Sequence, residues 1–285
     1  MYAVTGATGQ LGRLTIQALL KTVPAAQIVA GVRDPAKAAD LAAQGVLVRE
    51  ADYDRPETLP GAFNGVDKLL IISGTDVGRR TPQHRAAIEA AAKAGVGLVG
   101  YTSVLRADGS KLGVADEHRE AEAILKASGA PWVLLRNGWY TENYVGWIPS
   151  AVQTGALLGA AAGGRISAAT RADYAAAAAA VLTSSTVQAG RTYELAGDDA
   201  FTMAELAAEI ARQAGVPVAY QDMPEAAFQE TLMKIGLPEP LAVMLARSDA
   251  AAAEGDLFDS GRQLSSLIGR PTTPLADVVA AALKG

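Results

Sequence analysis

Three glycines near the start of the chain have a spacing that can bind a diphosphate. The segment Gly6–Gly12 reads G-x-x-G-x-x-G, after a short apolar run and before an amphipathic stretch. The first glycine permits a tight turn, the second lets the backbone approach a phosphate, and the third lets a helix pack closely on a strand. Backbone N–H groups at the helix N-terminus then face the anion. The pattern predicts a dinucleotide-binding turn, and no Gly-Lys-Ser/Thr follows it, which argues against nucleoside triphosphate hydrolysis.

The residue after the second predicted strand distinguishes between the two nicotinamide cofactors. Enzymes that use NAD carry an acidic residue there for the ribose hydroxyls, whereas this chain has Arg33 followed by Asp34. A guanidinium can pair with a 2′-phosphate and stack on adenine. We therefore predict NADPH. The adjacent Asp34 leaves NADH as the alternative, with Arg33 as a solvated loop residue.

Composition excludes thiol chemistry and a histidine-rich metal site. The chain has no cysteine and only two histidines, His84 and His118. No tyrosine has a lysine four residues later, so the helix-borne pair that lowers a tyrosine pKa for proton transfer is absent. For His84 we expect a structural or solvated position, and no metal is predicted.

A polar and aromatic segment follows the sixth predicted strand. It reads Asn137-Gly138-Trp139-Tyr140. A side-chain amide can hold a cofactor or polarise a carbonyl, and aromatic rings can cover a flat substrate. We predict catalytic roles for Asn137 and Tyr140. The alternatives are a turn cap for Asn137 and a small core cluster for the two aromatic residues.

The first half of the chain alternates short apolar runs with helical patterns, which indicates a parallel sheet covered by helices. Thr81 is predicted to cap a helix with Pro82 at its first position. The predicted strands are 2–5, 28–32, 46–49, 68–73, 97–103 and 132–136, and the predicted helices are 10–21, 36–44, 82–93 and 115–128. Right-handed crossovers give a doubly wound Rossmann-type α/β fold.

The second half of the chain has a weaker alternation of elements. Thr202 and Glu205 form a predicted capping box before a helix over 203–214, and later helical pieces are broken by prolines. We predict a smaller, mostly helical C-terminal lobe near the carboxyl ends of the strands, where ligands bind in open sheets. The predicted Rossmann domain is 1–137 with 165–197, and the predicted substrate-binding lobe is 138–164 with 198–285.

Charge and hydropathy exclude two classes of partner. The net charge is −5 over 285 residues and no basic tract is present, so nucleic-acid binding is not expected. No apolar run reaches the ~20 residues that span a membrane, and no secretory signal begins the chain. We expect a cytoplasmic protein with a small-molecule substrate. The sequence does not indicate an oligomeric state.

The motifs together resemble the NmrA-like branch of the atypical short-chain dehydrogenases. The matching segments run through the whole chain and include 5–12, 32–37, 101–103, 135–144, 167–173, 193–197 and 267–272. Within this branch, the asparagine and aromatic segment at 137–144 is most similar to flavin-independent quinone reductases, and triarylmethane dye reductases share the N-terminal motifs.

The resemblance implies an NADPH-dependent reductase that passes hydride to a quinone without a flavin. By position, it places the diphosphate on Gly6, Thr8, Gly9, Gln10, Leu11 and Gly12, and the 2′-phosphate on Arg33. It places the ribose along Ser73 and Gly74, and the nicotinamide near Thr102 and the segment 137–140. Relatives of this branch often carry a lysine four residues before a glutamate on the helix after the fifth strand, and His118 with Glu122 matches that spacing. The resemblance thus makes His118 a candidate proton donor near neutral pH, and the alternative is a surface residue in a charged run. The alternatives left open are a non-catalytic NADP(H)-sensing regulator and a reductase for a triarylmethane dye or another conjugated acceptor.

Overall fold

The computed structural model of the protein describes residues 1–284. The short apolar runs of the first half of the chain form strands. The strands are β1 (Tyr2–Val4), β2 (Ile28–Val32), β3 (Leu47–Glu50), β4 (Lys68–Ile71), β5 (Leu98–Val104), β6 (Trp132–Asn137), β7 (Ala156–Gly159), β8 (Arg191–Leu195) and β9 (Ala219–Asp222).

The main sheet has seven strands in the order β3-β2-β1-β4-β5-β6-β8. The pairs from β3 across to β6 are all parallel. Val4 of β1 lies opposite Ala30 on one side and Leu70 on the other. The chain order reverses between β1 and β4, which is the switch point where open α/β sheets bind ligands. The predicted Rossmann-type fold class is confirmed.

Helices follow most of the strands. Their bounds are α1 (Gln10–Leu19), α2 (Ala39–Ala43), α3 (Leu59–Phe63), α4 (Arg80–Lys93), α5 (Ala115–Ala127), α6 (Glu142–Val145), α7 (Ile148–Thr154), α8 (Arg171–Thr183), α9 (Met203–Ala214), α10 (Glu225–Lys234), α11 (Glu239–Ala253), α12 (Gln263–Ile268) and α13 (Leu275–Lys284). None of the helices in residues 1–284 is long and apolar enough to cross a membrane.

The chain divides into two compact units. The first unit comprises 1–104, 116–137 and 171–193, and the second comprises 105–115, 138–170 and 194–285. The predicted domains differ from these units in the placement of 105–115, 165–170 and 194–197.

The first unit has a core built between the sheet and its helices. Fully buried members include Phe63, Leu69, Ile88, Val99 and Tyr101. Helix α1 packs against α8. Lys68 Nζ donates to Leu182 O at 2.7 Å and to Ser184 O at 3.2 Å, which ties β4 to the end of α8.

The second unit contains a two-stranded parallel sheet of β7 and β9. Its helical part includes a small apolar cluster with Phe228, Leu232, Ala242 and Ala246 at its centre, against which Trp147 packs. Thr202 accepts from Glu205 N, and the Glu205 carboxylate accepts from Thr202 N, so the predicted capping box is confirmed.

One predicted helix start is wrong. Helix α4 begins at Arg80 after Arg79, so Thr81 lies inside the helix rather than at its cap. The Thr81 hydroxyl donates to Glu120 Oε2 at 2.6 Å, a bond to another helix that draws it away from its own backbone. The predicted helix over 36–44 forms as a 3₁₀ turn (Pro35–Ala38) followed by α2. The strand over 28–32 and the helix over 203–214 form as predicted.

Candidate nucleotide-binding site

The glycine turn after β1 has a shape that only glycine permits. Gly6 has a φ of +58°, the left-handed region that favours glycine. Gly9 N donates to Gly6 O at 2.9 Å, which closes the turn. A Cβ on Gly12 would lie 2.3 Å from Gly6 O and 2.7 Å from Ala7 Cα. The first turn of α1 therefore lies directly against the loop, as the sequence predicted.

The N-terminus of α1 is open to a ligand. Gly9 precedes the helix and supplies no side-chain cap. The N–H groups of Gln10 and Leu11 have no acceptor within residues 1–284. Gly9 and Gln10 are exposed, and Thr8 is half-buried. Unsatisfied N–H groups at the positive end of a helix bind phosphate oxygens well, so this turn fits the diphosphate of a dinucleotide.

Arg33 lies directly after β2 and is exposed. Its guanidinium makes no hydrogen bond or ion pair with any residue in the described part of the chain. The neighbouring Asp34 is engaged locally, because its Oδ1 accepts from Ala36 N at 3.0 Å and caps the 3₁₀ turn. The arginine is therefore available for an anion, and the carboxylate beside it is committed to the backbone.

The loop after β4 is held by side chains from three other elements. Ile72 N donates to Thr5 Oγ1 at 3.0 Å, and Ser73 N donates to Thr102 Oγ1 at 2.9 Å. Gly74 N donates to His84 Nε2 at 2.9 Å. The structure thus brings together Ser73, Gly74 and Thr102, which the sequence predicted as cofactor contacts. It adds Thr5 and His84, for which the sequence gave no such signal.

Tyr53 also belongs to this group of residues. Its hydroxyl donates to Thr5 Oγ1 at 2.5 Å and lies 3.2 Å from Ile72 O. Burial is the larger effect on the pKa of Tyr53 and raises it above the usual value, so the phenol is neutral. Tyr53 follows the predicted third strand, where the sequence places it near the adenine, but the sequence gave no indication of this contact with Thr5, which depends on how the sheet is ordered.

His118 lies in the interior of the first unit. It is 5 % exposed, and its Nδ1 lies 2.9 Å from Tyr101 Oη. Tyr101 Oη also lies 3.2 Å from His84 Nδ1. Burial, with Arg80 as the second cause, lowers the pKa of His118 well below its usual value, so the ring is neutral at pH 7. The surface position that was the alternative for His118 is not what the structure shows.

Glu122, four residues after His118, forms a separate buried ion pair. Arg136 Nη2 lies 2.6 Å from Glu122 Oε2, and Arg136 Nε lies 2.8 Å from Glu122 Oε1. Ser103 Oγ donates to the same carboxylate at 2.6 Å. Each of the three residues is at most 5 % exposed. This network links β5, α5 and β6 near the ends of the two strands.

Asn137 is the last residue of β6 and is 5 % exposed. Its Oδ1 is buried and has no hydrogen-bond partner within residues 1–284. A buried acceptor without a donor is costly, so the atom fits a site that a ligand N–H or a water completes. The alternative in which this side-chain oxygen caps the next turn is not observed.

Gly138, Trp139 and Tyr140 belong to the second unit. Gly138 N donates to Leu195 O at 2.7 Å, and Tyr140 forms a parallel bridge with Ala169. Both aromatic residues are half-buried. The backbone bonds fix the path of this segment, and its contacts with a cofactor or substrate stay a prediction.

Comparison with known proteins identifies the class of protein. A family model described as NAD(P)H-binding matches residues 6–185. The chain therefore belongs to the NAD(P)H-binding family, and the resemblance found in its motifs is confirmed.

The chain is similar to individual members of this family over almost its whole length. Quinone oxidoreductase 2 of Escherichia coli (strain K12) is 56% identical over 279 residues, which is 98% of this chain and 97% of that protein. The crystal structure of the E. coli NADPH-dependent quinone oxidoreductase QOR2 complexed with NADPH has a TM-score of 0.97 at 55% identity, covering 99% of this chain and 100% of that one. Citrobacter sp. triphenylmethane reductase complexed with NADP(H) has a TM-score of 0.94 at 38% identity, with coverages of 99% and 100%.

Proposed function

We propose that this protein is an NADPH-dependent reductase that transfers a hydride to a quinone without a flavin. The observation that carries the proposal is that the first unit has two sets of hydrogen-bond donors with no acceptor within residues 1–284. These are the unsatisfied N–H groups at the start of α1 and the unpaired guanidinium of Arg33. The similarity to Quinone oxidoreductase 2 over almost the entire chain supports the choice of acceptor.

The residues of the first unit would bind and orient the cofactor. The segment Gly6–Gly12 would hold the diphosphate through backbone N–H groups, and Arg33 would pair with the 2′-phosphate. The backbone at Ser73 and Gly74, with Thr102 beside it, would line the ribose and nicotinamide. Asn137 Oδ1 offers an acceptor for a carboxamide N–H. When bound, NADPH supplies the hydride.

No side-chain acid is needed for the proton. A hydride adds two electrons to the quinone, and the resulting hydroquinone anion takes its proton from water. His118 is neutral, buried and bonded to Tyr101, which argues against the proton-donor role predicted for it. Rate enhancement then comes from positioning and from exclusion of water. Within this proposal Trp139 and Tyr140 stack on the flat ring of the substrate.

The test is an acceptor screen with purified protein. NADPH oxidation is measured with benzoquinones, naphthoquinones and a triarylmethane dye, with NADH as the second donor and with no added flavin. We expect quinone-dependent oxidation of NADPH and much slower oxidation of NADH. Activity that appears only after flavin is added would contradict the flavin-free step. Tight binding of NADP⁺ and NADPH without turnover of any acceptor would favour the regulator instead.

Two arginine variants test whether the protein recognises the 2′-phosphate of NADPH. Arg33→Ala should raise the KM for NADPH by about 10- to 100-fold, because a charge-assisted pair with the phosphate is lost. The KM for NADH should change little. Arg85→Ala is the matched control, since Arg85 is an exposed arginine of the same unit with only a 3.8 Å ion pair to Glu89. Equal effects on NADPH and NADH would remove Arg33 from phosphate recognition.

A further inference from the structure

The hydrogen bond at Gly74 fixes the tautomer of His84. A backbone N–H can only donate, and Gly74 N lies 2.9 Å from His84 Nε2. Nε2 must therefore be the acceptor, without a hydrogen of its own. A neutral imidazole has one hydrogen on nitrogen, so in His84 this hydrogen lies on Nδ1.

The ring of His84 is neutral. It is fully buried in the first unit. Burial lowers its pKa from 6.5 to about 4, with the nearby Arg80 as the smaller cause. At pH 7 the doubly protonated form, which would have no acceptor for Gly74, is therefore a minor species.

The direction of the remaining bonds follows from that tautomer. His84 Nδ1–H donates to Tyr101 Oη at 3.2 Å. The single hydrogen of the tyrosine hydroxyl is then free for His118 Nδ1, 2.9 Å away. His118 Nδ1 must accept it, so the hydrogen of His118 lies on Nε2. Donation therefore runs from Gly74 to His84, from His84 to Tyr101 and from Tyr101 to His118. The two histidines are opposite tautomers.

We propose that His84 is a positioning residue that holds the Gly74 backbone in place for the cofactor, and that Tyr101 and His118 lock its acceptor nitrogen toward Gly74. The inference rests on the proposed function, because it takes the loop at Ser73 and Gly74 to line the bound dinucleotide. The chain of residues does not carry a proton to the substrate. These residues fix the tautomer of the His84 ring, and the ring fixes the orientation of the Gly74 N–H.

The rest of the loop shows why this bond has an effect. The N–H groups of Ile72, Ser73 and Gly74 each donate to a side chain of another element. These bonds orient three successive peptide groups, and the loop can shift where one bond is missing. Space is also limited, since a Cβ on Gly74 would lie 3.3 Å from Gln83 Oε1. Without its acceptor the Gly74 peptide can rotate, and a backbone that contacts a ligand then loses its preorganisation.

Nitrogen NMR tests the tautomers without any assay of activity. The chain has only two histidines, so the ring ¹⁵N spectrum of the full-length protein contains two spin systems. We expect one ring protonated on Nδ1 and the other on Nε2 at pH 7. His84→Gln should remove the Nδ1-protonated ring and assign it. Two rings with the same tautomer, or a cationic ring at pH 7, would overturn the proposal.

Two isosteric variants test the positioning role. In His84→Gln the side-chain oxygen can reach the place of Nε2 and accept from Gly74, whereas in His84→Asn the amide reaches only the place of Nδ1. We expect the Kd for NADP⁺ and the KM for NADPH to stay within about twofold in His84→Gln and to rise about tenfold in His84→Asn. The kcat should change less than the KM in both.

The outcomes separate this proposal from the proposed function. Equal losses of NADP⁺ affinity in the Gln and Asn variants, with the wild type binding normally, would overturn the positioning role alone. A wild type that does not bind NADP⁺ would overturn both. A shifted Gly74 amide resonance in His84→Asn, with little shift in His84→Gln, would support the proposal in the apoprotein.

Discussion

The buried tyrosines of the two units differ in their hydrogen bonding. In the first unit Tyr101 is bonded to both histidines, and Glu122 is paired with Arg136. In the second unit Tyr144 Oη is buried with no hydrogen-bond partner within residues 1–284. Asp249 there accepts from Ala160 N at 3.0 Å and has no ion pair with any residue in the described part of the chain.

Satisfied and unsatisfied buried polar groups have opposite effects on the free energy of unfolding. Satisfied buried networks fix a unique arrangement of the backbone, and in the first unit they join β5 to α4, α5 and β6. Buried polar groups without partners destabilise the folded state unless a water or a ligand forms the missing hydrogen bond. We therefore expect the networks around Tyr101 and Glu122 to stabilise the arrangement of the first unit. Each unit also has one buried atom without a hydrogen-bond partner within residues 1–284, Asn137 Oδ1 in the first and Tyr144 Oη in the second.

The largest effect should come from breaking the buried ion pair. Glu122→Ala leaves the Arg136 charge buried without its carboxylate, and we expect the free energy of unfolding to fall by about 3–5 kcal/mol. Urea denaturation measures it. The control is Glu89→Ala, which removes an exposed pair and should cost less than about 1 kcal/mol. A loss below 1 kcal/mol in Glu122→Ala would show that the network does not hold the first unit together.

In the second unit, removing the charge of the half-buried Asp249 should stabilise the protein. Burial raises the pKa of Asp249 from 3.8 to about 6, with the nearby Asp222 also raising it and the Ala160 N–H opposing the rise. The folded state therefore binds the proton more tightly than the unfolded state, and stability is lost as the pH rises from about 4 through 6.

Asp249→Asn should remove that penalty while keeping an acceptor for Ala160. We expect a gain of up to about 3 kcal/mol at pH 8 and a much smaller gain at pH 4. Denaturant unfolding at the two pH values measures the difference. The same gain at both would mean that the titration of Asp249 is not its origin.

The two buried tyrosines provide the direct comparison. Tyr101→Phe leaves the two histidine nitrogens without their common partner and should cost about 2 kcal/mol. Tyr144→Phe removes a hydroxyl that has no partner and should be neutral or stabilise by up to about 1 kcal/mol. The ring contact of Tyr144 with Phe201, at 5.8 Å between centroids, is kept in the variant. Thermal unfolding of both variants measures the difference. Equal losses of stability would show that the two hydroxyls do not differ in their contribution.

The smallest expected effect is a flat pH profile. Burial lowers the pKa of His118 well below 6.5 and that of His84 to about 4, so both rings stay neutral above pH 6. We expect kcat/KM for the quinone to change less than about twofold between pH 6 and 8 on account of either ring. A step near pH 7 that disappears in His118→Asn would restore His118 as a proton donor.

Features with a local cause were predictable from the sequence. The turn at Gly6–Gly12 and the capping box at Thr202 each depend on residues within one short segment. The strand over 28–32 has the predicted bounds, and the other predicted strands differ from the observed ones by one or two residues at one or both ends, because strand ends depend on partners as well as on composition.

Features that join distant segments were not predictable. The contacts of Tyr101 with His84 and His118 each span 17 residues and join a strand to two helices. The β7–β9 sheet pairs Leu157 with Tyr220, and neither strand has a pattern that names its partner. The orphan acceptor of Asn137 is also invisible in a sequence, since it follows from what the surrounding side chains fail to reach.

The bond from Lys68 to the end of α8 has a consequence for biosynthesis. The first unit takes its last segment from 171–193, and α8 covers α1 there. A nascent chain that has left the ribosome only as far as β6 exposes the apolar face of α1 and lacks both acceptors of Lys68. Maturation of the nucleotide-binding half must wait for translation of the segment that follows, and a gene fragment cut after codon 137 encodes an incomplete folding unit.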